Sequence, residues 1–141
     1  MRIHAFLFIT VIMFAPTAYA ETHEVKMYTR SENGTMIYEP EFLAIAPGDS
    51  VRFLPEQPTH NAATIEGMTP ESAEPFRSKI NEDFTVTLSE PGIYGIKCSP
   101  HFSMGMVMLI RVGETVGPVL PESLPKRARE RFEKIIRENA P

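Results

Sequence analysis

A short stretch in the second half of the chain gathers the donor atoms of a copper site. The run Cys98-Ser99-Pro100-His101-Phe102-Ser103-Met104-Gly105-Met106 offers a thiolate, an imidazole and two thioethers. A set of two histidines and one cysteine, with a weak axial methionine, is typical of copper sites that transfer electrons. The run therefore predicts one copper ion that alternates between Cu(I) and Cu(II). It lacks one member of the set, a second histidine.

His60 is the candidate for the second imidazole. It ends a loop that contains Pro55 and Pro58. A single histidine beside a turn is more often a surface residue, so the assignment depends on the short supply of imidazoles. Beyond the predicted leader, only His23 and His101 remain. His23 falls in the first predicted strand, which places it away from the cysteine.

The loop between Cys98 and Met106 must fold back on itself if both of its ends are to reach one ion. Gly105 helps the chain to bend, and Pro100 stiffens the loop. Because proline has no N–H group, Pro100 cannot donate a hydrogen bond near the sulfur. Hydrogen bonds to the cysteine sulfur tune the reduction potential of such sites. The backbone N–H of Asn61 is the donor we expect there.

The residues alone leave two alternatives open. Met104 and Met106 compete for the axial position, and methionine in general fills gaps in a core. A lone cysteine such as Cys98 is commonly a small buried apolar residue. Its neighbours favour metal ligation, because the nearby imidazole and thioethers suit a soft metal.

The first twenty residues predict a secretory signal peptide. Arg2 supplies a positive charge, residues 5–14 form a short apolar core, and Ala18-Tyr19-Ala20 is a small-x-small cleavage site. We expect cleavage after Ala20 and a single exported, soluble domain over residues 21–141. No later segment approaches the roughly 18 consecutive apolar residues of a membrane span, so we expect no membrane insertion. The net charge of −4 argues against a nucleic-acid partner.

Short extended runs separated by turn signals dominate residues 21–113. Many short strands at this spacing indicate an all-β sandwich or barrel. The predicted strands cover residues 23–28, 42–45, 50–54, 62–65, 84–88, 93–98 and 106–112. Residues 70–73 could form one helical turn. The tail over about 118–139 differs, because its apolar residues recur at helical spacing and predict a helix over 125–138.

Several motifs of the chain resemble those of the cupredoxins, a family of small blue copper proteins. The resemblance runs from residue 23 through the C-terminal helix, and the run from Tyr94 to Val107 is its most specific part. The other motifs are Met36-Ile37-Tyr38-Glu39-Pro40, Ala46-Pro47-Gly48-Asp49, His60-Asn61 and Lys79-Ile80-Asn81-Glu82. The resemblance implies an eight-stranded Greek-key cupredoxin sandwich with a C-terminal helical extension.

The resemblance also implies a ligand set and its surroundings. It places one copper ion per chain on His60, Cys98, His101 and Met106. Asn61 and Pro100 would lie directly around these ligands, and Met36 would lie against the imidazole of His101. In the family the edge of this second imidazole reaches the surface, where electrons enter and leave.

The likeness is greatest to those cupredoxins that carry electrons in denitrification. It implies a periplasmic one-electron carrier that feeds a copper nitrite reductase and accepts electrons from a quinol- or cytochrome-linked donor. We expect a monomer that is not an enzyme, because no general base or nucleophile constellation is visible. A basic surface would select redox partners with acidic docking faces. Its predicted members are Arg30, Arg77, Lys79 and Lys97.

One departure from the family and three rival functions qualify this interpretation. Many relatives carry a lysine just before the first ligand histidine, where this chain has Pro58-Thr59, so the basic ring is thinner on that side. The main rival is a periplasmic copper carrier or storage protein, which would need exchangeable ligands. A structural zinc module is disfavoured because methionine is a poor fourth ligand for zinc. A metal-free binding domain is the third rival.

The start of the processed chain is a further candidate metal site. Glu21-Thr22-His23 could wrap Cu(II) or Ni(II) in a square plane through an amine, two amides and an imidazole. Strand pairing would compete for the same amides.

Overall fold

The computed structural model describes residues 19–139. Most of the predicted signal peptide, residues 1–18, lies outside this range. Among the described residues, no helix is long and apolar enough to cross a membrane. The strands are β1 (Thr22–Ser31), β2 (Gly34–Glu39), β3 (Phe42–Ile45), β4 (Asp49–Pro55), β5 (Ala63–Thr64), β6 (Phe84–Leu88), β7 (Gly92–Lys97) and β8 (Val107–Val112). A 3₁₀ helix covers Ser99–Met104, and the α-helix α1 covers Lys126–Asn139.

The eight strands form two four-stranded sheets. One sheet has the order β2-β1-β4-β6 and the other has the order β3-β8-β7-β5. The β1–β4 and β3–β8 pairs are parallel, and the remaining pairs are antiparallel. Successive strands change sheet repeatedly, so the chain crosses between the two layers as expected for a Greek-key sandwich. The predicted fold class is confirmed. His60 lies in the connection from β4 in one sheet to β5 in the other, and residues 98–106 join β7 to β8 within the second sheet.

Strand β1 begins one residue earlier and ends three residues later than predicted, and β4, β5 and β7 differ from their predicted bounds by one residue at each end. The structure differs from the prediction in four further places. Strand β2 was not among the predicted strands. Residues 70–73 make a turn, closed by the N–H of Ala73 donating to the carbonyl of Pro70 at 3.0 Å, rather than a helical turn. The last strand begins at Val107, one residue later than predicted. In the tail only Lys126–Asn139 is helical, so the residues from 118 to 125 are not.

Two clusters of buried apolar residues form the core of the protein. The first lies between the sheets and contains both Cys98 and Met106. The second lies between the β3-β8-β7-β5 sheet and α1, where Phe132 and Ile135 are fully buried. Helix α1 thus covers the outer face of β8, the strand that follows the cysteine loop.

Helix α1 also contacts the cysteine loop directly, at Gly105. This residue ends the 3₁₀ helix with a φ of 88°, a left-handed conformation that favours glycine. A Cβ atom added there would lie 2.9 Å from the carbonyl oxygen of Arg127. The close approach of loop and helix therefore requires a glycine at this position.

Candidate metal centre

Three metal-binding side chains from two distant loops meet in the structure. The sulfur of Cys98 lies 3.7 Å from Nδ1 of His60 and 3.4 Å from Nδ1 of His101. The two Nδ1 atoms are 3.2 Å apart. All three donor atoms lie within 4.8 Å of one another. The structure thus brings His60, 38 residues away in sequence, to the sulfur.

The His60 side of the centre is buried and fixed by hydrogen bonds. His60 lies in the loop between β4 and β5 and is 0% exposed. Its carbonyl accepts the N–H of Asn81 at 2.8 Å, and its Nε2 is 3.0 Å from Oγ1 of Thr29 on β1. This second contact holds the ring with Nδ1 toward the sulfur. Burial, reinforced by the nearby charge of His101, lowers the pKa of His60 to about 4, so its imidazole is neutral at pH 7.

The Cys98 side is a tight loop closed by its own backbone. The N–H of Cys98 donates to the carbonyl of Met106 at 3.0 Å, and the N–H of Met106 donates to the carbonyl of His101 at 3.2 Å. Burial raises the pKa of the Cys98 thiol, and the backbone N–H groups of Asn61 and His101 near its sulfur oppose that rise. The His101 N–H also donates to the carbonyl of Cys98 at 3.1 Å. The same N–H groups stabilise a thiolate, which is the form that binds a metal.

Burial separates the two methionines that compete for the axial position. Met106 is 0% exposed and belongs to the same apolar cluster as Cys98. Met104 is 42% exposed and does not belong to that cluster. A thioether ligand for a buried ion must itself be buried, so the structure favours Met106.

The side chain of Asn61 joins the two loops. Its Oδ1 accepts the N–H of Ser99 at 2.7 Å, and its Nδ2 donates to the carbonyl of Ser78 at 3.1 Å and to Oγ of Ser99 at 3.3 Å. Sequence reasoning had assigned a role only to the backbone N–H of Asn61. The side-chain role depends on contacts across 38 residues, which no local pattern reveals.

Two other residues expected around the ligands take these positions. Pro100 is exposed in the first turn of the 3₁₀ helix. Met36 lies on β2 with a φ of 49°, partly buried against the cluster between the sheets. Its predicted position against the His101 imidazole stays a prediction.

The predicted basic surface is divided over several elements. Arg77 and Lys97 both pair with Ala63, one on each side of it, so they lie in one row across the sheet edge. The ammonium of Lys97 lies 4.9 Å from the ring centre of Phe102, the neighbour of His101. The other two predicted members are exposed, Arg30 and Lys79. A joint role of these four side chains in docking stays a prediction.

The start of the predicted processed chain is held by another group. The N–H of Glu21 donates to Asp49 at 2.9 Å, and Nε2 of His23 lies 2.9 Å from the same carboxylate. Hydrogen bonds from Glu21 and His23 lower the pKa of Asp49. Thr22 and His23 are also paired with β4. The groups that a square-planar metal site would need are therefore engaged in other contacts.

The donor set fits copper. A buried cysteine, two imidazoles and a buried thioether combine soft and intermediate donors, which is the combination that copper electron-transfer sites use. The fold and this donor set together define a cupredoxin, a β-sandwich copper protein.

Comparison with known proteins agrees with this class and narrows it. Residues 25–113 match the family of copper binding proteins called the plastocyanin/azurin family. The chain is 44% identical over 126 residues to pseudoazurin from Paracoccus pantotrophus, covering 87% of each protein. It is 38% identical over 110 residues to pseudoazurin from Methylorubrum extorquens, covering 78% of this chain and 74% of that protein. A pseudoazurin structure from Sinorhizobium meliloti superposes with a TM-score of 0.80 at 38% identity, covering 85% of this chain and 98% of the other.

The chain belongs to the pseudoazurins, the copper electron carriers of this family. The predictions of a cupredoxin sandwich and of copper as the cofactor are thereby confirmed.

Proposed function

We propose that this protein is a periplasmic one-electron carrier whose copper ion is held by His60, Cys98, His101 and Met106. The observation that supports this most directly is the convergence of the first three donors within 4.8 Å. The fully buried position of Met106 completes the set. When bound, copper supplies the one-electron couple, and every other contribution comes from the chain.

The chain contributes a site that changes little between oxidation states. Thr29 orients the imidazole of His60, and Asn61 ties the His60 loop to the cysteine loop through its hydrogen bonds with Ser99. Backbone hydrogen bonds close the second loop around Cys98. Because these contacts hold the donors without help from the metal, little reorganisation accompanies the gain or loss of an electron.

Burial of the ligands favours retention of the metal over exchange. Cys98 and His60 are both 0% exposed, whereas a carrier or storage protein needs ligands that a competitor can reach. A mild Cu(I) chelator distinguishes these functions. An electron carrier keeps its copper over hours of incubation, and a copper carrier releases it.

The partly exposed His101 is the point at which we place electron entry and exit. Phe102 follows it in the chain, the ammonium of Lys97 lies 4.9 Å from the centre of the Phe102 ring, and Arg77 lies in the same row as Lys97. A basic surface near an electron-transfer site steers acidic partners toward it and makes the rate of encounter fall with salt. We infer a monomer that passes electrons to a copper nitrite reductase and receives them from a quinol- or cytochrome-linked donor.

Titration of the purified apoprotein with Cu(II) tests the metal site. We expect an intense visible band from thiolate-to-copper charge transfer at one equivalent of copper, and we expect Cys98→Ser to lack it. The far-ultraviolet circular dichroism of both proteins should be the same. A colourless, redox-silent wild-type protein after copper addition contradicts the proposal.

Charge reversal tests the docking surface. Lys97→Glu should lower the rate of electron transfer to a copper nitrite reductase severalfold at low salt, and the difference should shrink at high salt. Arg137→Glu is the matched control. Arg137 is exposed near the far end of α1, about 15 Å along the helix from Arg127, the residue that contacts the cysteine loop. Equal rates for the two variants contradict docking at Lys97.

A further inference from the structure

A hydroxyl group from strand β2 holds the backbone of Asn61, which lies in the loop between β4 and β5. Oη of Tyr38, on β2, donates to the carbonyl oxygen of Asn61 at 2.7 Å. Both residues are buried, with Tyr38 at 0% and Asn61 at 1% exposure. No contact of Tyr38 with a ligand side chain is needed for an effect on the centre, because Asn61 links the two ligand loops. Its Oδ1 accepts the N–H of Ser99, the neighbour of Cys98, at 2.7 Å, and its backbone N–H favours the Cys98 thiolate.

We propose that Tyr38 is a positioning residue for the copper centre: its hydroxyl fixes the backbone of Asn61, keeps that residue's N–H directed at the Cys98 sulfur, and so raises the reduction potential. The proposal rests on the ligand assignment made above and deepens it.

The hydrogen bonds around Asn61 explain why one hydroxyl has this effect. On the peptide unit before Asn61, the carbonyl of His60 is held by the N–H of Asn81 at 2.8 Å. On the unit after it, the N–H of Ala62 donates to Oγ of Ser78 at 3.0 Å. The carbonyl of Asn61 is the remaining polar group of these two units, and Tyr38 is its partner.

Loss of that partner would disturb the N–H at the sulfur. A buried carbonyl without a hydrogen bond is strongly unfavourable, so the peptide unit turns toward another donor. This unit shares the Cα atom of Asn61 with the preceding unit, so its rotation shifts Asn61 and weakens the alignment of that residue's N–H with the sulfur. A hydrogen bond to the thiolate withdraws electron density and favours the reduced ion, so weakening it favours Cu(II).

The packing of Tyr38 allows its hydroxyl to be tested by itself. The ring contacts Phe53 edge-on, with 6.2 Å between ring centres, and a phenylalanine preserves that contact. Tyr94 provides a matched control in the same apolar cluster. It is 2% exposed, and its Oη also donates to a backbone carbonyl, that of Glu90 at 2.9 Å. Glu90 has no contact with a proposed ligand among the described hydrogen bonds.

The experiment compares Tyr38→Phe, Tyr94→Phe and the wild type, all loaded with copper. For Tyr38→Phe we expect the equilibrium constant for reduction by a one-electron mediator to fall severalfold, where tenfold corresponds to about 59 mV. We also expect a shifted thiolate charge-transfer band. In the Cu(I) form, the Asn61 amide proton should exchange faster with solvent and resonate at higher field. Tyr94→Phe should lose stability and change none of these three quantities.

The outcomes separate the proposal from a merely structural role. If Tyr38→Phe and Tyr94→Phe lose similar stability and both keep the wild-type potential and Asn61 resonance, the proposal is wrong. If the wild-type protein itself shows no charge-transfer band, the ligand assignment is wrong instead.

A second replacement keeps the test decisive if Tyr38→Phe does not fold. Incorporation of 3-fluorotyrosine at position 38 alone retains the hydroxyl and makes it a stronger donor. The potential should then rise above the wild-type value. An unchanged or lower potential contradicts the proposal.

Discussion

The two histidines of the copper centre are held in opposite ways. His60 is fully buried, and both its backbone carbonyl and the outer nitrogen of its ring have protein partners. His101 is partly exposed, and the partners of its ring within residues 19–139 are the other two donors, Cys98 and His60. Its backbone also departs from the surrounding 3₁₀ helix, with a φ of −118° and a ψ of 16°.

This difference gives the two histidines separate roles, one in positioning the ion and one in access to the surface. The buried half sets where the ion sits, because its donor is in place before any metal arrives. In the function proposed above, the exposed half would connect the ion to the surface, because the imidazole of His101 is partly exposed. A centre built from two buried halves would be rigid and isolated from partners, whereas two exposed halves would exchange the metal and reorganise with each electron.

Removal of each imidazole should produce the largest difference between the halves. His60→Gly and His101→Gly should both lose the charge-transfer band of the wild type. Millimolar imidazole should restore it in His101→Gly, because the vacated position is open to solvent. In His60→Gly the vacated position is enclosed, so restoration should be at least tenfold weaker at the same imidazole concentration. Visible absorption during an imidazole titration measures both.

1,3-Dimethylimidazolium, in which neither ring nitrogen has a free lone pair, is the control for this titration, and it should restore neither variant. Equal restoration of the two variants by imidazole would remove the distinction between a buried and an exposed half.

The pH dependence of the copper-free protein should report the buried half. Burial and the charge of His101 lower the pKa of His60 to about 4, compared with about 6.5 in an unfolded chain. As the pH falls below about 6.5, the unfolded chain takes up a proton that the folded protein does not. The free energy of unfolding should therefore fall by about 3 kcal/mol between pH 6.5 and pH 4, and this contribution should level off below that range. Urea denaturation at a series of pH values measures the slope.

A His60→Gln variant is the control for this measurement, since it lacks the titrating group. Asp49 and Asp83 also have lowered pKa values, the first through hydrogen bonds from Glu21 and His23 and the second through Arg52. Their stabilising contributions are lost only as the pH falls below the ordinary carboxyl range near 3.9, outside the His60 window. A slope that His60→Gln leaves unchanged contradicts the assignment.

A substitution at Gly105 should disturb the exposed half selectively. Alanine at this position would adopt a left-handed φ of 88° with its Cβ 2.9 Å from the carbonyl oxygen of Arg127. We expect Gly105→Ala to cost about 2 kcal/mol of unfolding free energy and to broaden or shift the charge-transfer band. Gly117→Ala is the control, because a Cβ there meets no atom within 4 Å. If the two variants have the same stability, helix α1 does not fix the loop.

The sequence reveals those parts of this molecule that local patterns encode. The cysteine loop was predicted from donor spacing, and the strands at 42–45 and 84–88 match the structure because alternation and turn residues bound them. Strand β2 was missed because burial does not alternate along it: the adjacent residues Ile37 and Tyr38 are both buried. The helix was placed within one residue at each end because its apolar stripe is regular.

The contacts that hold the ligands could not be predicted in the same way. His60 was proposed from the need for a second imidazole. Its contact with Thr29 joins residues 31 positions apart in the chain, and its contact with Asn81 joins residues 21 positions apart. The side chain of Asn61 and the hydroxyl of Tyr38 act across similar separations. For the choice between the two methionines, one simple quantity, their burial, favours Met106 over Met104.

The smallest expected effect concerns the hydroxyl that orients His60. Thr29→Val keeps the shape of the side chain and removes the partner of Nε2, which lies 3.0 Å away. We expect a loss of about 1 kcal/mol in the copper-free protein, and a small broadening of the charge-transfer band because the imidazole is less strictly oriented. Thr29→Ser keeps the hydroxyl and should restore both values toward the wild type. Among the hydrogen bonds of residues 19–139, the partner of Thr29 Oγ1 is the His60 ring, so identical behaviour of the Val and Ser variants would mean that packing alone orients this imidazole. Packing, rather than a hydrogen bond to the ring, would then orient the imidazole in both halves. The two halves would differ only in their access to solvent.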